Sequence, residues 1–200
     1  QADGRLFLGL FMETGRITDR PHWRMKSALR AVVEKFQTEV RLTPANNAIL
    51  VNIRPQDKGA IAQVFASHGI NLEKQGTVLR RSSMACVSLP TCGLALAESE
   101  RYLPDLVTRL ETALAEAGLA NEEINIRMTG CPNGCARPYL AEIGFVGKAP
   151  GRYQIWLGGN HLSTRLNRVY RDNVKEQDII TELKPLFDRF AGERLPGEGF

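Results

Sequence analysis

The sequence predicts an α+β protein in two parts: a ferredoxin-like split βαβ unit over residues 1–72, then an α/β domain with a mixed sheet over residues 73–200. Three observations predict it. The apolar period switches between extended and helical in the order β-α-β-β-α-(β) along the first part. Amphipathic helices alternate with short apolar strands along the second. The 200 residues, 43% hydrophobic and 24% charged, have the balance of an ordinary globular chain with one large or two small domains.

Residues 5–11 (RLFLGLF) are apolar and extended in character. Thr18 or Asp19 can cap a helix that Pro21 helps to start. Met25, Leu29, Val32 and Phe36 then fall on one helical face. Residues 39–43 and 48–53 predict two strands, joined by Pro44-Ala45-Asn46-Asn47 as a hairpin turn. Ile61, Val64, Phe65 and His68 make a second amphipathic helix that Gly69 stops. Residues 77–80 are expected to add a strand.

The second part opens with an irregular cysteine-bearing stretch, residues 82–93. A helix follows, carrying Leu103, Leu106, Val107, Leu110 and Leu114 on one face and stopped by Gly118. Residues 124–128 read as a strand. Residues 142–147 and 152–157 read as two more, joined by Gly147-Lys148-Ala149-Pro150-Gly151. Ile179, Ile180, Leu183, Phe187 and Phe190 mark a C-terminal helix, bent at Pro185. Arg165, Arg168 and Arg171 have the spacing of a solvated helical face.

Composition excludes intrinsic disorder and a collagen-like repeat. No apolar run approaches the roughly 20 residues of a membrane span. The first residues lack the basic and apolar regions of a signal peptide. The chain has no initiating Met, so it is expected to be a piece of something longer. The net charge of +4 resides in residues 1–72, which hold ten Lys/Arg against six Asp/Glu. That surplus reads as a normally solvated surface or as an attraction for an acidic partner. No basic tract interleaved with aromatics supports nucleic-acid binding. His22, His68 and His161 stand alone, with no second histidine at metal-ligand spacing.

The informative chemistry sits in Cys86, Cys92, Cys131 and Cys135, the only cysteines of the chain. They form C-x5-C and C-x3-C pairs in stretches rich in Gly, Pro, Ser, Thr and Asn, with a 38-residue gap between the pairs. Such loops let backbone N–H groups turn toward an anionic centre. Four converging thiolates also need a cation. Three readings are open: disulfides, structural zinc, and an iron–sulfur cluster. Disulfides suit small secreted chains. Zinc usually takes C-x2–4-C knuckles, whereas a four-iron cluster takes four cysteines at wider spacing.

The run Ser83-Met84-Ala85-Cys86-Val87-Ser88-Leu89-Pro90-Thr91-Cys92, followed by Thr129-Gly130-Cys131-Pro132-Asn133-Gly134-Cys135, resembles the cluster signature of the sulfite and nitrite reductase family, most closely its assimilatory NADPH-linked branch. Supporting stretches are Gly4–Leu10, Val146–Tyr153 and Leu157–Asn160, so the resemblance spans nearly the whole sequence. It implies a siroheme coupled to a 4Fe-4S cluster, a ferredoxin-like half-domain over 1–72 and a cluster- and siroheme-binding domain over 73–200. By the same resemblance, Cys86, Cys92, Cys131 and Cys135 are the cluster ligands. Cys135 is also the catalytic bridge, giving its thiolate to the siroheme iron.

The implied reaction is the six-electron reduction of sulfite to sulfide, in sulfate assimilation and cysteine biosynthesis. The expected electron donor is a flavoprotein (alpha) subunit, since no dinucleotide fingerprint follows a strand here. A ferredoxin-dependent nitrite or sulfite reductase, an electron-transfer 4Fe-4S module without siroheme, and a zinc-stabilised interaction domain are the alternatives. Family chains are expected to be about twice as long, the other half supplying the Lys/Arg cluster that grips sulfite. The 200 residues alone are therefore expected to be inactive and prone to self-association. Asn133 is read as a tetrapyrrole contact or a turn residue. Arg137 is read as a partner for a siroheme carboxylate or as a solvated side chain. Asn46 and Asn47 resemble a siroheme-facing element, and a hairpin turn explains them equally well. Thiolate ligands and a reduced cofactor point to the cytoplasm.

Overall fold

A computed structural model describes residues 2–160 and 162–200; His161 lies outside them. The chain divides into two compact units, Gln1–Gly76 and Thr77–Phe200. The break falls four residues beyond the expected one because residues 71–76 fold back on the first unit. Asn71 Oδ1 accepts the N–H groups of Glu73 and Lys74. Gln75 Oε1 accepts Phe11 N–H at 2.8 Å, and its amide donates to the carbonyls of Gly9 and Leu72.

The first unit runs β1 (Leu6–Leu10), β2 (Asp19–Arg20), β3 (Trp23–Arg24), α1 (Met25–Phe36), β4 (Glu39–Leu42), β5 (Ala48–Ile53) and α2 (Lys58–Ser67). Its main sheet has the order β1-β5-β4, with β5 antiparallel to both neighbours. This is the split βαβ arrangement: β1 and β4 run parallel, joined through α1, with β5 between them. Met25, Ala28 and Val32 of α1 and Ile61 and Phe65 of α2 share one core with Leu10, Leu50 and Ile53 of the sheet.

Neither Thr18 nor Asp19 occupies the N-cap of α1, because β2 and β3 intervene and Arg24 stands there. Asp19 caps from a distance instead: its carboxylate accepts both the backbone N–H of Ser27, at 3.0 Å, and the Ser27 hydroxyl, at 2.7 Å. Those bonds hold its carboxyl below the usual range. The turn after β4 uses Asn46 at φ +61°, and Asn47 Oδ1 accepts Met12 N–H. Both asparagines thus have turn roles.

The second unit runs α3 (Val78–Arg81), β6 (Ser83–Ala85), α4 (Leu103–Glu116), β7 (Ile126–Thr129), β8 (Ile143–Ala149), β9 (Arg152–Leu157), β10 (Arg168–Lys175) and α5 (Ile179–Glu193). Its five strands lie in the order β10-β9-β8-β7-β6. The β6–β7 and β7–β8 pairs are parallel, and the other two are antiparallel. The sheet is mixed, as expected. Ile126, Met128, Ile143, Phe145, Tyr153 and Ile155 form one core with the apolar faces of α4 and α5. Each fully buried leucine of α4 contributes on the order of 2 kcal/mol.

Four local expectations change. Residues 78–81 are a helical turn, α3, capped by the Thr77 hydroxyl. Residues 83–85 are a strand within the stretch expected to be irregular. β8 continues through Gly147 to Ala149, so the hairpin turn is only Pro150-Gly151. Arg168 and Arg171 lie on β10, where bulges break the alternation that would have marked a strand. Arg165 precedes that strand and donates to the carbonyls of Gly158 and Gly159. The C-terminal helix runs on through Pro185. Among the described residues no helix is long and apolar enough to cross a membrane.

Candidate functional site

β6 and β7 lie side by side in parallel, with Ala85 opposite Met128. Each strand therefore delivers its cysteine loop to the same edge of the sheet, the carboxyl end, where α/β proteins commonly build sites. Cys86 follows β6 and Cys131 follows β7, one residue beyond Gly130. The N–H of Cys86 continues the ladder to the Met128 carbonyl at 3.1 Å. The Gly130 N–H donates to Cys86 Sγ at 3.4 Å, which ties the second loop to the first cysteine.

Gly130 is the joint between the two loops. Its carbonyl accepts the N–H groups of Leu96 and Ala97, at 2.8 and 3.0 Å. This folds the segment that carries Cys92 back over Gly130. A Cβ on Gly130 would collide with Ser88 Oγ and stand 2.6 Å from the Ala97 carbonyl oxygen. Ser88 is buried, at φ +51°, and its hydroxyl donates to that same Ala97 carbonyl. Ser99 Oγ donates to the Met128 carbonyl at 2.7 Å. Ser88, Ala97, Gly130 and Gly147 thus interlock the loops by contact and backbone hydrogen bonding. Sequence reasoning gave Gly147 a turn role and Ser88 and Gly130 only a place in the cysteine signature, and saw no contact between them.

All four cysteines are free thiols. Cys86 and Cys92 are half-buried, Cys131 is buried and Cys135 is exposed. Among the described residues no three His, Cys, Asp or Glu side chains converge closely enough for a single metal ion. Asn133 is exposed. Arg137, in the left-handed region at φ +56°, reaches back over β6 so that its Nη2 stands 3.7 Å from Met84 Sδ. Nearby, Arg127 on β7 donates to Asn125 Oδ1 and Ser163 Oγ. Burial, and then the charge of Arg137, lower its pKa. His68 caps α2 with its ring against the Val64 carbonyl, and His22 is exposed.

Tyr139 stands beside the second loop. Its hydroxyl donates to the Pro132 carbonyl at 2.9 Å. Burial, and then the neighbouring Cys131, raise its pKa.

Comparison with known proteins places this geometry in context. Residues 1–68 match the nitrite/sulfite reductase ferredoxin-like half domain. The sulfite reductase (NADPH) hemoprotein beta-component of Staphylococcus saprophyticus is 48% identical over 200 residues, covering 100% of this chain and 35% of that protein. The proteins of the same name from Staphylococcus haemolyticus and Bacillus licheniformis are 50% and 47% identical, over 96% and 98% of this chain and 33% and 34% of theirs. The structure of the Mycobacterium tuberculosis NirA protein superposes with a TM-score of 0.77 at 23% identity, covering 98% of this chain and 37% of that one. The chain spans about a third of the length of the curated relatives it matches, a smaller share than the expected half. The similarity to these hemoproteins runs from end to end of this chain, and its first 68 residues match the half domain of nitrite and sulfite reductases.

Proposed function

We propose that the chain is the cluster-bearing, C-terminal part of a sulfite reductase hemoprotein. In this reading Cys86, Cys92, Cys131 and Cys135 hold a 4Fe-4S cluster, and Cys135 also ligates a siroheme iron. The observation that carries it is the parallel β6–β7 pair, which brings two cysteine loops to one sheet edge and ties them through Gly130.

The donor set fits. Four free thiols are the full complement for one four-iron cluster. The C-x5-C spacing of the first pair suits a polynuclear group better than a zinc knuckle. Cys135, the exposed member, is the sulfur open to a second group. Asn133 and Arg137, two residues to either side of it, are read as contacts of the macrocycle.

When bound, these groups supply electron storage and the six-electron reduction of sulfite to sulfide. The chain's own residues orient and insulate. Gly130 N–H orients the Cys86 sulfur. The Ser88–Ala97–Gly130 interlock fixes one loop against the other. The buried Cys131 side is kept from water. The cations that grip sulfite are assigned to the part of the protein outside these residues. A flavoprotein alpha subunit is assigned as electron donor. The setting is cytoplasmic sulfate assimilation leading to cysteine.

Anaerobic reconstitution with iron and sulfide tests the reading. It should give about four irons and four acid-labile sulfides per chain, with a broad brown absorption shoulder. Siroheme added to that protein should give Soret-like and red bands that a Cys135→Ser chain lacks. No labile sulfide in the reconstituted protein would sink the proposal.

A further inference from the structure

We infer that Tyr139 is a positioning residue for the Cys131–Cys135 loop, an external latch that fixes how far apart those two sulfurs stand; the inference rests on the cluster reading above. A C-x3-C loop with Pro, Asn and Gly between its cysteines has wide backbone freedom. Its own turn bond, Gly134 N–H to the Cys131 carbonyl, is long at 3.5 Å and so weak. The restraint comes from outside. The Tyr139 hydroxyl donates to the Pro132 carbonyl at 2.9 Å. Its ring occupies the space where a Gly134 Cβ would be, with Cε2 2.8 Å from that position, and Gly134 sits at φ +69°. One side chain thus grips both the first and the third residue between the two cysteines.

The latch is itself fixed. Its ring meets the Trp156 ring edge-on, with centroids 4.9 Å apart at 77°. The Tyr139 carbonyl accepts Asn167 N–H at 2.9 Å. The buried Asn167 amide donates to the carbonyls of Pro138 and Ala141, at 2.7 and 2.9 Å. Strand β9, through Trp156, and the segment entering β10, through Asn167, therefore hold the turn that carries Tyr139. Neither phenylalanine nor a small polar residue would supply both the ring and the hydroxyl.

The test compares wild-type, Tyr139→Phe and Tyr139→Ala chains, each reconstituted anaerobically with iron and sulfide. Loss of the cluster absorption to excess chelator gives a release rate, and the EPR spectrum of the dithionite-reduced cluster reports its geometry. The phenylalanine chain, which keeps the ring, should release iron about five-fold faster, the factor one ordinary hydrogen bond is worth. Its apo-form circular dichroism should be unchanged. The alanine chain should release faster still, with shifted and broadened EPR lines. Release rates and spectra equal to wild type in the folded variants would overturn the latch and leave the cluster reading standing. A wild-type chain that takes up no labile sulfide would overturn the reading and the latch together. If the alanine chain fails to fold, the phenylalanine chain decides alone.

Discussion

Gly147 and Gly130 stand back to back: a Cβ added to Gly147 would lie 2.6 Å from the Gly130 carbonyl carbon and 2.8 Å from Ala97 Cβ. Backbone cannot yield there as a flexible side chain could. Gly147→Ala should therefore push Gly130 away from the Cys86 sulfur and cost about 1–3 kcal/mol through overpacking. Urea unfolding of the apo chain reads the cost, and iron content after reconstitution reads the damage to the site. A Gly147→Ala chain with unchanged midpoint and full iron would show that β7 and β8 can part without consequence.

The four cysteines should differ as packing groups. Cys131 is 8% exposed, so Cys131→Ser buries a hydroxyl and should cost the apo chain about 1–2 kcal/mol. Cys135 is exposed, and Cys135→Ser should shift apo stability by no more than about 0.5 kcal/mol. Denaturant midpoints of the two apo variants give the comparison. Equal losses would contradict the burial difference.

Tyr153 should govern the alkaline limit. It is fully buried, donates to the Glu98 carbonyl at 2.9 Å and stacks on Tyr102 with centroids 5.6 Å apart. Burial first, and then Tyr102 and nearby carboxylates, hold its phenol far above the ordinary range. The unfolded chain ionises this group near pH 10, while the folded chain keeps the proton. Above roughly pH 10 the unfolded state binds fewer protons, so stability falls as pH rises, by up to about 1.4 kcal/mol per pH unit. Tyr153→Phe should lose about 1 kcal/mol at neutral pH and flatten the decline above pH 10. Urea melts on either side of that pH test it, and a decline of unchanged slope in the variant would assign the effect elsewhere.

Arg80 anchors the short helix that leads into β6. Its guanidinium pairs with Glu111 at 2.8 Å and also reaches Thr108 and the Pro104 carbonyl, all on α4. Both partners are about one-fifth exposed, so the pair is shielded more than a surface ion pair. Arg80→Met should cost about 1–3 kcal/mol by leaving Glu111 short of its cation. It should also loosen Cys86, which thermal melts and the alkylation rate of that thiol would register together.

The 200-residue chain should release no measurable sulfide from sulfite with dithionite-reduced methyl viologen, even when loaded with cluster and siroheme. Each oxyanion-type donor contributes on the order of 3 kcal/mol, and the reading assigns those donors outside this chain. Sulfide release near the rate of a full-length relative would move the anion-binding groups into these residues.

The helices, β1 and β5 were legible because burial imposed its pattern on them, whereas β4 is exposed along its length. The faces of α1, α4 and α5 repeat as predicted, and the residues of β5 are apolar nearly throughout. The cysteines were legible through their types and spacing. What joins their loops was not. β6 is three residues long, too short for any alternation to show, and its partner β7 lies beyond a whole helix. β10 exposes most of its residues, only Val174 being buried. Gly130 and Gly147 matter through atoms they lack, and Tyr139 through a hydrogen bond it donates to a carbonyl that the sequence does not mark.

The 38 residues between the two cysteine pairs set an order of events during synthesis. At about 5–20 residues per second, Cys86 and Cys92 leave the ribosome seconds before Cys131 and Cys135. The first pair must wait as bare thiols, exposed to oxidants and stray metal, until α4 has formed and β7 has docked beside β6. Closing so long a loop carries an entropic cost that native packing must offset before the second pair arrives. On the cluster reading, the full set of four thiols exists only once β7 has docked beside β6, so the proposed inorganic centre would be assembled late.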